Sequence, residues 1–238
     1  LMRRELIVAL DQLADDANLR FLLLRGRGRH FSAGADLAWM QQSAQLDFNT
    51  NLDDAHELGE LMYNLHNLKL PTLAVVQGAA FGGALGLISC CDMAIGAEDA
   101  QFCLSEVRIG LAPAVISPFV VKAIGERAAR RYALTAERFS GLRARELGLL
   151  AEAYPGAELE QQVEAWVDNL LLNSPQALRV SKELLREVGH GELTPAVRRY
   201  CENSIARIRV SPEGQEGLRA FLEKRRPAWQ DFDKEPRP

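Results

Sequence analysis

No apolar run in the 238 residues approaches the roughly 18 needed for a membrane-spanning helix. No stretch of these residues reads as a secretory signal, and none is expected. Cysteine is scarce: Cys90, Cys91, Cys103 and Cys201 show neither zinc-knuckle spacing nor a disulfide framework. The adjacent Cys90 and Cys91 lie in an apolar run and are expected to be buried, reduced thiols of a cytoplasmic protein. The four histidines (His30, His56, His66 and His190) have no ligand spacing, so no metal is expected. The net charge of −4 lacks the basic excess that marks nucleic-acid binding. Neither a nucleic acid nor a membrane is therefore expected as a partner. The chain opens on Leu1 inside what already reads as a helix, so a longer N-terminus, with any targeting segment, is expected to precede it.

What is present is an alternation of helical and strand-like stretches. "RRELIVALDQLADD" places Leu6, Ile7, Leu10 and Leu13 at a helical period. "LRFLLLRG" is a short apolar run ended by Gly26 and reads as a buried strand. "RGRGRHFSAGAD" reads as a loop, with a helix starting at Leu37. "LDDAHELGELMYNLHNL" is a helix closed by Pro71, which opposes helical geometry in Leu70. "TLAVVQG" is a second strand, a helix follows over about Gly82 to Cys91, and "MAIGA" is a third strand. Strand, glycine-rich turn, helix, strand defines an α/β protein with its functional loops at strand ends. After Val115 the chain reads as mainly helical; its last helix opens on Ser211-Pro212, and the tail from Pro227 is expected to fray.

Several nucleotide and nucleophile motifs fail on inspection. A phosphate loop needs a lysine after its glycines, and Ala84 stands there. "GRGRHF" puts Phe31 where a dinucleotide fingerprint needs its third glycine. Ser32 in "HFSAG" lacks a nucleophile elbow, although His30, Ser32 and Asp36 supply the composition of a triad. Two small-residue turns remain, "FSAGADL" and "AAFGGALGL". Each can present bare backbone N–H groups to a bound oxygen, and the second opens a helix with a partial positive charge at its start. Spacing alone supports tight helix–sheet packing equally well.

"RHFSAGADLAWM", "VQGAAFGGALGLISCCDMAIGAEDAQF" and "SEVRIGLAPAVISPFV" together resemble the enoyl-CoA hydratase/isomerase (crotonase) superfamily. The resemblance runs from Leu1 to about Gln230, without the family's N-terminal strands. It implies an α/β spiral of ββα units over residues 1–190 and a helical C-terminal trimerisation region over 191–238. It also implies an oxyanion hole made by the N–H groups of Ala35 and Gly83. By the same resemblance, Ala33, Asp36 and Leu37 line the adenine end of a CoA channel through backbone atoms. Phe221 and Lys224 match positions that reach a neighbouring subunit's CoA in a homotrimer or dimer of trimers. Arg25, Arg27 and Arg29 are candidates for the CoA phosphates or simply solvated charges. No cofactor is implied beyond the coenzyme A of the substrate.

Hydration of an α,β-unsaturated thioester needs a base for water at C3 and an acid for C2. The family's hydratases carry two glutamates for this, and the resemblance places the second at Glu106. The first falls at Gly86, which is a departure. A single carboxylate also suits Δ3-Δ2 isomerisation, where one group shuttles a proton between C4 and C2. The local wording most resembles the methylglutaconyl-CoA or carboxygeranoyl-CoA hydratase branch, whose substrates carry a second carboxylate. The expected activity is therefore syn hydration of a short, branched or carboxylated 2-enoyl-CoA by Glu106. The alternatives are the isomerase and a noncatalytic acyl-CoA-binding homologue. Hydrolytic dehalogenation lacks its aspartate in "LAPAVIS", and Ser105 or Cys103 as a nucleophile lacks an accompanying histidine. Trp39, Met40, Ile116 and Phe119 are candidates for either pocket lining or core.

Overall fold

The computed structural model describes residues 2–14, 16, 18–43, 45–189 and 191–231. The chain divides into two compact units, Leu1–Leu68 with Thr72–Val163 and Lys69–Pro71 with Glu164–Pro238.

In the first unit, α1 (Met2–Ala14), β1 (Leu22–Arg25), α2 (Leu37–Ser43) and α3 (Phe48–Asn67) come first. They are followed by β2 (Thr72–Val76), β3 (Ala79–Phe81), α4 (Gly83–Cys90), β4 (Met93–Ala97) and β5 (Gln101–Cys103). Then come α5 (Ser117–Ile124), α6 (Glu126–Thr135), β6 (Phe139–Ser140), α7 (Gly141–Glu146) and β7 (Glu152–Tyr154). One sheet runs β1-β2-β4-β7, all parallel, and a second runs β3-β5-β6. Two turns of the chain give one strand to each sheet before a helix: β2 and β3 precede α4, and β4 and β5 precede α5. This is the ββα succession that the resemblance implies.

Every residue of β2 is buried, as expected for a parallel strand covered on both faces. Its start is clamped to that of β4. Asp92 Oδ2 accepts from Thr72 N (2.7 Å) and Thr72 Oγ1 (3.0 Å), and Asp92 N donates to Thr72 Oγ1 at 2.8 Å. Phe102 stacks on Phe139 with centroids 5.4 Å apart, and Phe139 meets Tyr132 at 4.3 Å.

α8 (Leu159–Leu171) crosses the division, and the second unit continues with α9 (Pro175–Val188), α10 (Pro195–Val210) and α11 (Pro212–Leu222). The last three open identically, on Ser174-Pro175, Thr194-Pro195 and Ser211-Pro212. Each hydroxyl accepts the backbone N–H three residues on, from Ala177, Val197 and Gly214, while proline presets the first helical turn. The expectation of a fraying tail fails over its described part. Ala228–Gln230 forms a 3-10 turn, and Trp229 Nε1 and Gln230 Nε2 donate to the Leu172 carbonyl at 3.1 and 2.7 Å. The rest of the tail, 232–238, lies outside the described residues. Cys90 is buried as expected, but Cys91 is only half-buried.

Candidate active site

The site is assembled around the start of α4. This helix carries no charge, and its sequence "GALGLISC" is mostly buried. Gly82 caps it at φ 57°, ψ −123°, where a side chain would be strained. Gly82 N donates to the Cys103 carbonyl (2.9 Å) and Leu85 N to the Gly82 carbonyl (3.0 Å). The N–H of Gly83, the first helical residue, has no intrahelical acceptor by geometry. A Cβ built on Gly83 would meet nothing within 4 Å, so a ligand atom has room to approach its backbone.

The second small-residue turn is stitched to the strand that feeds α4. Phe31 N donates to Gln77 O (2.8 Å), Ser32 N to Ala79 O (3.0 Å) and Phe81 N to Ser32 O (3.0 Å), a parallel bridge between Ser32 and Ala80. Ala79 N donates to His30 Nδ1 at 3.0 Å. "SAGAD" leaves this bridge just as β3 runs into Gly82-Gly83, and Gly34 turns at φ 113° to expose Ala33, Ala35 and Asp36. Leu37 then opens α2, capped by Asp36 Oδ1 accepting from Trp39 N at 3.0 Å. The side chain of Leu37 is outside the described residues. His30, Ser32 and Asp36 are thus each occupied in holding the backbone: His30 as an imidazole acceptor, Ser32 in the bridge and Asp36 as a helix cap.

Glu106 opens a 3-10 turn, Glu106–Ile109, closed by Gly110 in the left-handed region and by Leu111 N donating to the Glu106 carbonyl (3.1 Å). Its Oε1 lies 3.3 Å from where a Cβ on Gly82 would sit, so the carboxylate rests against the cap of α4. Its Oε2 is buried without a hydrogen-bond partner. Burial raises its pKa, opposed only in part by its own backbone N–H. Cys103 is no rival as a nucleophile. Its Sγ donates to the Ala136 carbonyl at 3.2 Å, which also accepts from Arg108 Nη2 at 2.7 Å, and burial pushes the thiol up.

Gly86 lies within α4, on a face that packs into the interior. A Cβ there would fall 2.8 Å from Ile116 Cβ and 3.0 Å from Met62 Cε, and closer still to Ile116 Cγ2. Ile116 is 2% and Met62 0% exposed, so the place is filled by buried apolar side chains. Ile116 is therefore buried, and it also lines an apolar cavity of about 480 Å³ with Leu104, Pro113 and Val120. Trp39 lies under Arg3, 5.3 Å from its guanidinium, and donates from Nε1 to Asp54 Oδ1 at 3.2 Å; Arg3 pairs with the same Asp54. Phe119 meets His66 edge-on at 5.3 Å, and Met40 on α2 is half-buried.

Among the arginines, Arg25 pairs with Glu160, whereas Arg27 and Arg29 are exposed. Arg25, Gly26, Arg27, Gly28 and Gln77 line a cavity of about 540 Å³ together with Leu159 and Glu160. In the second unit Phe221 is 81% exposed on α11, and Lys224 follows it with φ 55°. Sequence reasoning missed Met62 and Ile116 as occupants of the Gly86 site, and His30 as an acceptor. A β-branched residue ten positions after Glu106 carries no motif that would have revealed the first.

Two small-residue turns joined by a backbone bridge, with a buried carboxylate at the start of α4, make up the candidate site on this ββα scaffold. The chain belongs to the enoyl-CoA hydratase/isomerase family, whose pattern it matches over residues 1–233. A crystal structure of an enoyl-CoA hydratase from Shewanella pealeana superposes with a TM-score of 0.91 at 50% identity, covering 96% of this chain and 85% of that one. The hydroxycinnamoyl-CoA hydratase-lyase of Pseudomonas fluorescens is 30% identical over 93% of this chain and 82% of its own length. The 2,3-dehydroadipyl-CoA hydratase of Escherichia coli is 27% identical over 94% of this chain and 86% of its own length.

Proposed function

We propose that the protein hydrates a 2-enoyl-CoA with a short, branched or carboxylated acyl group, using Glu106 as its general acid and base. The observation that carries this reading is the Glu106 carboxylate at the cap of α4, with one oxygen buried and unpartnered. The N–H groups of Ala35 and Gly83 receive the thioester oxygen as it gains charge. Such donors act in a site that needs no reorganisation when the reaction occurs. Glu106 takes a proton from water as the oxygen attacks C3, then returns a proton to C2 on the same face. Its raised pKa brings base and conjugate acid closer in free energy near neutral pH. The backbone at Ala33, Asp36 and Leu37 holds the adenine end of CoA. Phe221 and Lys224 serve a neighbouring subunit's CoA in a homotrimer or dimer of trimers, and the protein works in the cytoplasm. The name of the dehydroadipyl-CoA relative supports a carboxylated acyl group.

The filled Gly86 site favours a second reading, Δ3-Δ2 isomerisation, because one carboxylate suffices for a proton shuttle between C4 and C2. Product mass after incubation with 2-enoyl- and 3-enoyl-CoAs in ¹⁸O-water separates the two. Hydration adds labelled water to the first substrate, and dicarboxylic enoyl-CoAs belong in that panel. Migration of the double bond in the second without a hydroxy product assigns the isomerase. Binding of CoA esters without turnover of any of them assigns a noncatalytic homologue. Glu106→Gln lowers turnover about 10²–10⁴-fold with acyl-CoA binding retained; unchanged turnover removes Glu106 from the chemistry.

A further inference from the structure

We infer that His30 is a positioning residue for the reaction: its ring, as the neutral Nε2–H tautomer, holds the two small-residue turns in register by accepting from the backbone at the start of β3. The inference rests on the oxyanion reading, in which Ala35 and Gly83 lie on either side of the Ser32–Ala80 bridge. His30 acts through that bridge and not by touching substrate.

Between β2 and β3 the chain kinks at Gly78, with φ 60°. A Cβ there would run into the Arg29 carbonyl and lie 2.6 Å from His30 Nδ1, so the loop carrying His30 is pressed onto the kink. Neighbouring donors, Phe31 N and Ser32 N, reach carbonyls two residues apart, at Gln77 and Ala79. The pairing therefore slips by one residue at Gly78, as at a bulge. Ala79 is buried, and a buried N–H must find an acceptor. The slip directs Ala79 N to the His30 ring, where Nδ1 accepts it at 3.0 Å. An imidazole nitrogen that accepts cannot carry the ring's proton, which places that proton on Nε2. The loop is gripped in turn from the end of β2, where Gln77 Nε2 donates to the Gly26 and Gly28 carbonyls at 2.7 and 3.1 Å. Beyond the bridge, Ser32 runs into Ala33-Gly34-Ala35 and Phe81 into Gly82-Gly83. Without the ring the kink resets to satisfy Ala79 N, and β3 carries the shift to Gly83.

Three variants test this. Asparagine places Oδ1 as many bonds from the backbone as Nδ1, whereas the oxygen of glutamine lies one bond further out. His30→Ala lowers kcat for a 2-enoyl-CoA roughly ten- to a hundredfold, as misplacement of reacting groups by up to about 1 Å does. KM changes little, His30→Asn restores most of kcat, and His30→Gln does not. Wild-type kcat in His30→Ala, a loss confined to KM, or equal losses in all three variants overturns the inference. Two readouts need no turnover. The imidazole ¹⁵N spectrum of the unaltered protein shows the proton on Nε2, and the Ala79 amide exchanges slowly there and in His30→Asn. A proton on Nδ1 overturns the inference even where His30→Ala fails to fold. Gly83→Pro is run alongside. Full turnover there overturns the oxyanion reading, whereas its loss together with wild-type kcat in His30→Ala overturns only the role of His30.

Discussion

The two units each hold a glutamate displaced from its ordinary behaviour, and in opposite directions. Glu106 is buried against a helix cap with one oxygen unpartnered, and burial raises its pKa. Glu216 in the second unit accepts from both Arg225 Nη atoms, at 2.6 and 3.0 Å, and from Ala228 N at 3.0 Å. Those donors, Arg225 first, hold its pKa down at about 2. The first carboxylate is kept in an environment that disfavours its charge, and the second in one that satisfies it. A group poised to exchange protons resembles the former; a brace between a helix and the chain end resembles the latter.

The largest effect expected from challenging this contrast is on rate. Gly83→Pro deletes one N–H at the first helical position, where proline suits the helix. Turnover should fall about 10²–10³-fold, the cost of one oxyanion donor, with the helical circular dichroism unchanged. Retained turnover would show that the Gly83 N–H is not a donor to the reaction. A smaller effect concerns pH. Glu106 must be ionised to act as base, so kcat/KM should rise with pH along a limb lying above the ordinary glutamate value of 4.5. Because its folded-state pKa is raised, its contribution to stability is present at low pH and lost as pH rises through that limb. Glu106→Gln should therefore raise Tm at neutral pH, because it removes a charge that burial disfavours, and the gain should shrink on acidification. The smallest effect belongs to Glu216. Its pKa is lowered, so its contribution is present above the ordinary carboxylate range and fades as pH falls toward about 2. Glu216→Gln should lower Tm slightly at neutral pH and make no difference in strong acid, as thermal unfolding across pH would report.

The sequence made the α/β class and the helix after the glycine run legible, because period and turn chemistry act locally, and its motif singled out Glu106 as the candidate to test. β3, β5, β6 and β7 escaped it, being two or three residues long and too short to show a period. Ala79–Phe81, which reads as part of a turn, is the strand that aligns the two backbone turns. α3 begins a turn earlier than its apolar pattern, at Phe48, because Asp47 caps it by accepting from Thr50 N at 2.8 Å. The glycine at 86 was visible as a departure, but its occupant was not. A contact between residues thirty positions apart leaves no trace in spacing.

The bridge between Ser32 and Ala80 separates the alignment of the reacting centre from the length of the chain between them. Everything in that interval, including α2, α3 and β2, leaves from and returns to a fixed seam of backbone hydrogen bonds. Loop closure depends only weakly on length. Insertions or deletions in the α2–α3 connection can therefore be taken up without moving the two turns relative to each other. Such a seam makes the connection around 45–47 the stretch where a designed change of loop length meets the least structural resistance.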